Sequence, residues 1–148
     1  MEKTAMQDAD YAALAKAMRK VDLFAPLTLG ELEEVVKYIM LFRYAAGETV
    51  FKQGGPGDAF YIVYDGEVSI RVKSFAFLSK TVRRLGAGDV FGEMALLDGA
   101  PRNASVVCEA PTRLFVLLSA DFAFVLKKNP SFAQEMRRIA ERRRFMSR

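Results

Sequence analysis

The sequence predicts an α+β protein that is mainly β, with helices at both ends of a small antiparallel sandwich or barrel. Apolar residues recur at helical spacing over about residues 8–40, and short strands broken by turns fill about residues 41–118. Helical spacing returns over about residues 119–146. Of the 148 residues, 51% are apolar, so the chain can bury a core as one domain over residues 1–148.

Two helices are predicted before the strands. The first has an apolar face made of Tyr11, Leu14, Ala15, Met18 and Val21. The second begins at Thr28, because Thr28 and Glu31 have the spacing of a capping box, in which each side chain accepts a hydrogen bond from an exposed backbone amide. Its apolar stripe is Leu32, Val35, Val36 and Ile39.

Turn residues divide the central segment into short strands. Asp65-Gly66 indicates a hairpin, since glycine tolerates the positive φ of a tight primed turn. The run Gly54-Gly55-Pro56-Gly57 indicates a loop, because it suits neither a strand nor a helix interior. Regular spacing of such turns is typical of a sandwich or barrel.

Two further helices are predicted after the strands. Ser119 is the expected N-cap of the first, whose apolar side is Phe122, Val125 and Leu126. Asn129-Pro130 ends that helix, and Ser131 is the expected cap of the next. The last helix has an apolar stripe of Phe132, Met136, Ile139 and Ala140.

The most specific pattern is the run Phe91–Val106, which reads FGEMALLDGAPRNASV. It places a glycine and an acid at the start of a short helix, then returns through a Gly/Pro turn to Arg102 and small residues. Helix N-termini offer backbone amides to anions, and an arginine fork pairs with phosphate oxygens. A carboxylate such as Glu93 accepts hydrogen bonds from a hydroxyl. Together these groups suit a cyclic sugar-phosphate, whereas a surface helix with a solvated Arg102 is the structural alternative.

This run resembles the phosphate-binding cassette of the cyclic nucleotide-binding domain family. That family includes regulatory subunits of cAMP-dependent kinase, the bacterial catabolite activator and cyclic nucleotide-gated channels. Residues 46–54 and 57–68 resemble the family's earlier strands, and the resemblance covers about residues 22–146. It implies an antiparallel β-roll of jelly-roll topology, flanked by N-terminal helices and two C-terminal helices.

The resemblance also implies a ligand site. It assigns the phosphate to Arg102, the ribose 2′-hydroxyl to Glu93, and a close backbone approach to Gly92. Backbone contacts are expected from Met94, Ala95 and Ala104, and a side-chain donor from Ser105 or Asn103. The base is expected against Ile70, Arg83 and Leu85. The last helix is expected to cover the base through one or more of Ile139, Arg142, Arg143 and Phe145.

Two positions depart from the family pattern. Arg83 stands where a smaller or apolar residue is usual; either it hydrogen-bonds the purine or it points outward. Asn103 is neither the threonine often found in members that prefer cGMP nor the alanine or serine more usual in those that prefer cAMP. Base preference is therefore open, with cAMP favoured.

The resemblance implies a non-catalytic regulatory module whose ligand is cAMP or cGMP, with no other cofactor. Its output is expected in an unknown protein effector or in a homo-oligomer. The chain has no histidine and one cysteine, which excludes the metal-binding histidines of a cupin enzyme and zinc sites built from His/Cys clusters. The alternative is a degenerate member that binds no nucleotide and acts as an interaction scaffold.

Charge and hydropathy limit the kinds of partner that we expect. The net charge is +4, and arginines crowd the C-terminus, where they form either a solvated helix face or a surface for an acidic partner or nucleic acid. We expect no membrane span, no signal peptide and no DNA-binding domain, hence a cytoplasmic protein. Phe75 and Phe77 either mark a partner surface or fold back on the strands.

Overall fold

The computed structural model describes residues 1–74 and 78–146, with side chains as far as residue 142. Its helices are α1 (Asp8–Met18), α2 (Leu29–Val36), α3 (Met94–Leu97), α4 (Ser119–Lys128) and α5 (Pro130–Met146). Its strands are β1 (Glu2–Thr4), β2 (Met40–Tyr44), β3 (Thr49–Phe51), β4 (Ala59–Asp65), β5 (Glu67–Lys73), β6 (Ser79–Gly86), β7 (Val90–Phe91), β8 (Ser105–Cys108) and β9 (Thr112–Leu118). The expectations for Phe75 and Phe77 lie outside the described residues, and those for the side chains of Arg143 and Phe145 lie outside the described side chains.

The strands form two antiparallel sheets. One has the order β1-β2-β9-β4-β7, and the other has the order β3-β8-β5-β6. Helices α1 and α2 lie between the short edge strand β1 and β2, α3 lies between β7 and β8, and α4 and α5 follow β9. The predicted mainly β architecture, with helices at both ends, is confirmed.

Two cores share the five-stranded sheet. In β4, Phe60 and Ile62 belong to the core beneath the helices. Tyr61 and Val63 belong to the core between the two sheets. Side chains alternate across a strand, so a strand covered on both faces appears in the sequence as a continuous apolar run. Strand β9 alternates between the two cores in the same way.

The N-terminal segment differs from its prediction in two respects. Strand β1 was not predicted, and it pairs with β2 at the edge of the larger sheet. Helix α1 buries Leu14 and Met18 as expected, but Tyr11 and Ala15 are exposed. Asp10 is buried in their place, on the face that meets the sheet. Helical spacing alone was therefore right for Leu14 and Met18, but it could not reveal the buried acid beside them.

Polar contacts hold α1 on the sheet. The Gln7 amide and the Tyr64 hydroxyl each donate to the Asp10 carboxylate at 2.8 Å. These two hydrogen bonds, the Gln7 bond first, lower the pKa of Asp10 below its ordinary value. The Arg113 guanidinium lies 3.8 Å from the same carboxylate and stacks over the Tyr64 ring. The cluster therefore satisfies the acid that the helix buries.

The predicted hairpin at Asp65-Gly66 is wrong. Strand β4 pairs with β7 and β9, whereas β5 pairs with β6 and β8. The turn therefore carries the chain from one sheet to the other. Gly66 has φ +97°, and a Cβ there would lie 2.4 Å from the Thr112 hydroxyl oxygen. Positive φ and close packing both require glycine at this corner, so the residue was recognised although the connection was not.

The helix caps agree with prediction in one case of three. The capping box of α2 is confirmed, with Thr28 and Glu31 bonded reciprocally. Ser119 is not a cap: it is the first residue of α4, and its hydroxyl donates to the Ala95 carbonyl at 3.0 Å. Ser131 is not a cap either, because α5 already begins at Pro130. Proline suits the first helical position, since its missing N–H has no intrahelical partner there.

Candidate functional site

A cavity of about 620 Å³ opens beside α3 and the smaller sheet. Its volume lies within the range usual for small-molecule sites, about 300–1,000 Å³. The structure brings most of the predicted site residues together here: Ile70, Arg83, Leu85, Gly92, Glu93, Met94, Ala95, Arg102, Asn103 and Ala104. Strands β5 and β6 supply one wall, and the run Phe91–Val106 supplies the other.

Three predicted residues do not line the cavity. The Ser105 hydroxyl accepts a hydrogen bond from the Gln53 amide at 2.8 Å, so it holds the neighbouring loop. Ile139 is half-buried against the core beneath the helices, and Arg142 is exposed on α5. In this structure α5 therefore lies away from the cavity as far as its side chains are described.

Some lining residues were not predicted. Among them Phe91, Asp98, Ala100, Pro101 and Val106 belong to the recognised run, whereas Phe51, Val82 and Val90 lie outside it. The sequence could have pointed to Val82, because it is an apolar residue next to the predicted Arg83. Phe51 gave no local signal, because it is distant in sequence from the residues that it contacts.

Arg102 is the buried charge of the site. Its side chain is enclosed, with the residue only 8% exposed. Its Nη2 donates to the Ala59 carbonyl at 2.6 Å, and its Cζ lies 4.0 Å from the centre of the Phe51 ring. The Asp58 carboxylate is 3.9 Å away but is itself largely exposed, so water screens it.

The backbone of Arg102 is fixed by the predicted glycine loop. The Gly54 amide donates to the Arg102 carbonyl at 2.7 Å, and the Arg102 amide donates to the Gly55 carbonyl at 2.8 Å. A Cβ at Gly57 would lie 2.2 Å from the Ala100 carbonyl oxygen, so only glycine allows this approach. The loop therefore positions the arginine, a role that the turn signal alone did not reveal.

Gly92 makes space for the guanidinium. It adopts φ +76°, and a Cβ there would lie 2.8 Å from Arg102 Nη1 and 3.1 Å from the Ala59 carbonyl oxygen. The close approach expected at this glycine is thus made, in this structure, by the arginine itself. Both the conformation and the contact exclude a larger residue.

The charge of Arg102 is incompletely compensated. Burial lowers the pKa of the guanidinium below its ordinary value, although arginine remains protonated in proteins. Within the described residues, its buried Nε has no hydrogen-bond partner. A buried cation with an unused hydrogen-bond donor lowers the stability of the folded protein unless an anion pairs with it. The geometry therefore provides a binding point for an anionic group.

Glu93 and α3 line the same cavity as Arg102. Glu93 is half-buried, lines the cavity and immediately precedes α3. The Ala95 amide donates to the Gly92 carbonyl at 3.1 Å, so this amide is engaged within the chain rather than presented to the cavity. Carboxylate and guanidinium together suit a ligand with both hydroxyl and anionic groups.

The remainder of the cavity is largely apolar. Ile70 and Leu85 lie on its wall, and Leu85 is buried. Arg83 and Asn103 also line it, but both are exposed, which places them at its mouth. Arg83 is therefore positioned to reach a ligand as well as solvent.

Two kinds of feature are absent from the part of the chain that the structure describes. Within residues 1–74 and 78–146, no helix is both long and apolar enough to cross a bilayer. Over the same ranges, no group of three or more acidic, histidine or cysteine side chains is arranged to hold a metal ion.

Comparison with known proteins identifies one family. The family model described as "Cyclic nucleotide-binding domain" matches residues 41–129. The chain is 33% identical to a cyclic nucleotide-gated potassium channel of Mesorhizobium japonicum, over 91% of this chain and 36% of the channel. It is 32% identical to the cyclic AMP receptor protein of Thermus thermophilus, over 85% of this chain and 58% of that protein. The chain thus spans only part of the curated relatives that it matches.

A solved structure agrees with these relatives. The regulatory domain of Toxoplasma gondii PKA, crystallised with cAMP, superimposes with a TM-score of 0.76 at 27% identity. The match covers 82% of this chain and 46% of that one.

We expect Gly92→Ala to destabilise the protein more than Gly88→Ala. Both glycines have positive φ, at +76° and +89°, so alanine strains either backbone by about 1–2 kcal/mol. Only at Gly92 does the new Cβ meet the guanidinium, whereas at Gly88 nothing lies within 4 Å. Thermal or urea unfolding of the two variants measures the difference. Equal losses of stability would show that Gly92 does not make space for Arg102.

Proposed function

Because the chain belongs to the cyclic nucleotide-binding domain family, we propose that it is a non-catalytic regulatory module that binds a cyclic nucleotide, with cAMP favoured over cGMP. The observation that carries the proposal is the buried Arg102 guanidinium, whose Nε has no partner among the described residues. A cyclic phosphate supplies the missing acceptor and the missing negative charge together.

In the proposed complex, each part of the nucleotide has its own residues. Arg102 binds the phosphate, and the Glu93 carboxylate accepts a hydrogen bond from the ribose 2′-hydroxyl. The base lies against Ile70 and Leu85, with Arg83 at the mouth of the cavity. Support comes from the cavity itself, since these five side chains line it together.

The preference for cAMP is supported by the comparisons. Position 103 itself does not decide it, since asparagine is neither the threonine often found in members that prefer cGMP nor the alanine or serine more usual in those that prefer cAMP. The comparisons include a protein named as a cyclic AMP receptor and a structure crystallised with cAMP. Asn103 lines the cavity, where it can contact the ligand.

The proposed signal passes from α3 to α5. Met94 and Ala95 line the nucleotide cavity, whereas Leu96 and Leu97 line a groove shared with α4 and α5. A nucleotide that shifts α3 therefore changes what α5 packs against. A ligand can shift only an equilibrium between states that it contacts differently, so α5 is proposed to move toward the base on binding. The output is proposed in a protein effector or a self-association.

Arg102→Ala is expected to weaken cyclic nucleotide binding by about 2–5 kcal/mol, since it removes one partner of a buried charge pair. Arg102→Lys is also expected to lose affinity, because lysine lacks the bidentate fork. The matched control is Arg84→Ala, which removes an exposed arginine that pairs with Glu67 at 3.1 Å; it is expected to change affinity little.

Calorimetric titration with cAMP and cGMP, side by side, measures these effects and the base preference. Tighter binding of cGMP would overturn the preference for cAMP. If the Arg102→Ala variant binds cyclic nucleotide as tightly as the parent, the assignment of the phosphate to Arg102 is contradicted. A parent that binds neither nucleotide would leave the interaction scaffold as the function.

Cyclic nucleotide is expected to raise the hydrogen-exchange protection of residues 132–142 in α5. The physical reason is that burial beneath a base suppresses local opening of the helix. Helix α1, residues 8–18, serves as an internal control and is expected to change little. Saturating nucleotide that leaves the exchange of α5 unaltered would contradict the proposed movement.

A further inference from the structure

Phe51 contacts the phosphate-binding arginine, Arg102, from the strand that pairs with β8. It ends β3, and its ring centre lies 4.0 Å from Arg102 Cζ. The ring belongs to an aromatic cluster, lying 5.7 Å from the Tyr61 ring and 5.9 Å from the Phe91 ring. Tyr61 and Phe91 stack on each other at 4.8 Å. The cluster therefore gives Phe51 a fixed position beneath the guanidinium.

An aromatic ring holds a cation without neutralising it. A carboxylate in direct contact would pair with the guanidinium and occupy the donors that a phosphate needs. The ring face attracts the charge through its quadrupole and leaves the N–H edge available. Here the Asp58 carboxylate, 3.9 Å from Nη2, is largely exposed to water, whereas the Phe51 ring covers the buried guanidinium with its centre 4.0 Å from Cζ.

We propose that Phe51 is a positioning residue for the phosphate site, an inference that rests on the proposed binding of cyclic nucleotide at Arg102. The ring fixes one face of the guanidinium, the Ala59 carbonyl fixes Nη2, and Gly92 leaves the space that Nη1 occupies. Arg102, which lines the cavity, is then held in place before the ligand arrives, so little side-chain freedom is lost on binding.

The first test compares Phe51→Leu with Phe51→Tyr. Leucine keeps an apolar side chain but has no π face, so cAMP binding is expected to weaken about tenfold, the scale of a desolvated cation–π contact. Tyrosine keeps the face and is expected to bind within about twofold of the parent. Phe51→Met serves in place of Phe51→Leu if that variant does not unfold cooperatively. Binding by the apolar variant within about twofold of the parent would overturn the proposal.

The second test needs no nucleotide. Protons that lie over an aromatic ring resonate upfield, so the Arg102 Nε–Hε signal of the free protein is expected at a displaced position in the parent and in Phe51→Tyr. In Phe51→Leu the signal is expected to return toward the ordinary arginine position and to exchange faster with water. The Nε–Hε signal of Arg102 is assigned by its disappearance from the spectrum of the Arg102→Lys variant.

The two tests separate this inference from the proposed function. If the parent binds no cyclic nucleotide, the proposed function fails, and the Nε–Hε signal alone decides whether Phe51 positions Arg102. If the parent binds but the signal is the same in Phe51→Leu, the positioning role is wrong and the phosphate assignment stands. Equal loss of affinity in Phe51→Tyr and Phe51→Leu would also overturn it, because the π face would then be irrelevant.

Discussion

A buried positive charge is the constraint on which the site depends. Arg102 is enclosed, and its charge meets the Ala59 carbonyl, the Phe51 and Tyr61 rings and a screened carboxylate. Burying a cation is unfavourable unless it is paired, so the surrounding structure must hold it there. Backbone hydrogen bonds from the loop at Gly54 and Gly55 do so, together with the space at Gly92. The fold thus keeps the guanidinium desolvated and only partly paired, so that a bound anion can supply the missing charge and hydrogen-bond acceptor.

The two-core architecture connects this site to the helices. Strand β4 packs on both faces and carries the Ala59 carbonyl that binds Arg102. Helix α3 is four residues long; its first two residues line the cavity and its last two line the groove beside α4 and α5. The Ser119 hydroxyl further ties the start of α4 to the Ala95 carbonyl. Helix α3 therefore contacts both the cavity and the C-terminal helices, and packed contacts of this kind are the route of the proposed signal.

Sequence reasoning succeeded where the information is local. The run Phe91–Val106 contains most of one cavity wall, and the capping box at Thr28 needs only four residues. It failed where tertiary contacts decide. The turn at Asp65-Gly66 joins different sheets, Ser119 bonds to another helix, and Phe51 meets Arg102 because β3 pairs with the distant β8. Such pairings depend on the relative placement of sheets and helices, which local periodicity does not contain.

Ligand discrimination tests the central claim most directly. A ligand that binds only the native state stabilises it by about 2.7 kcal/mol at a hundredfold excess over its dissociation constant. The cavity pairs one buried arginine with a carboxylate that lines it, which suits a singly charged cyclic phosphate better than the open, doubly charged phosphate of 5′-AMP. Melting temperature is therefore predicted to rise clearly with cAMP and far less with 5′-AMP at equal concentration. Equal shifts, or no shift with cAMP, would contradict it.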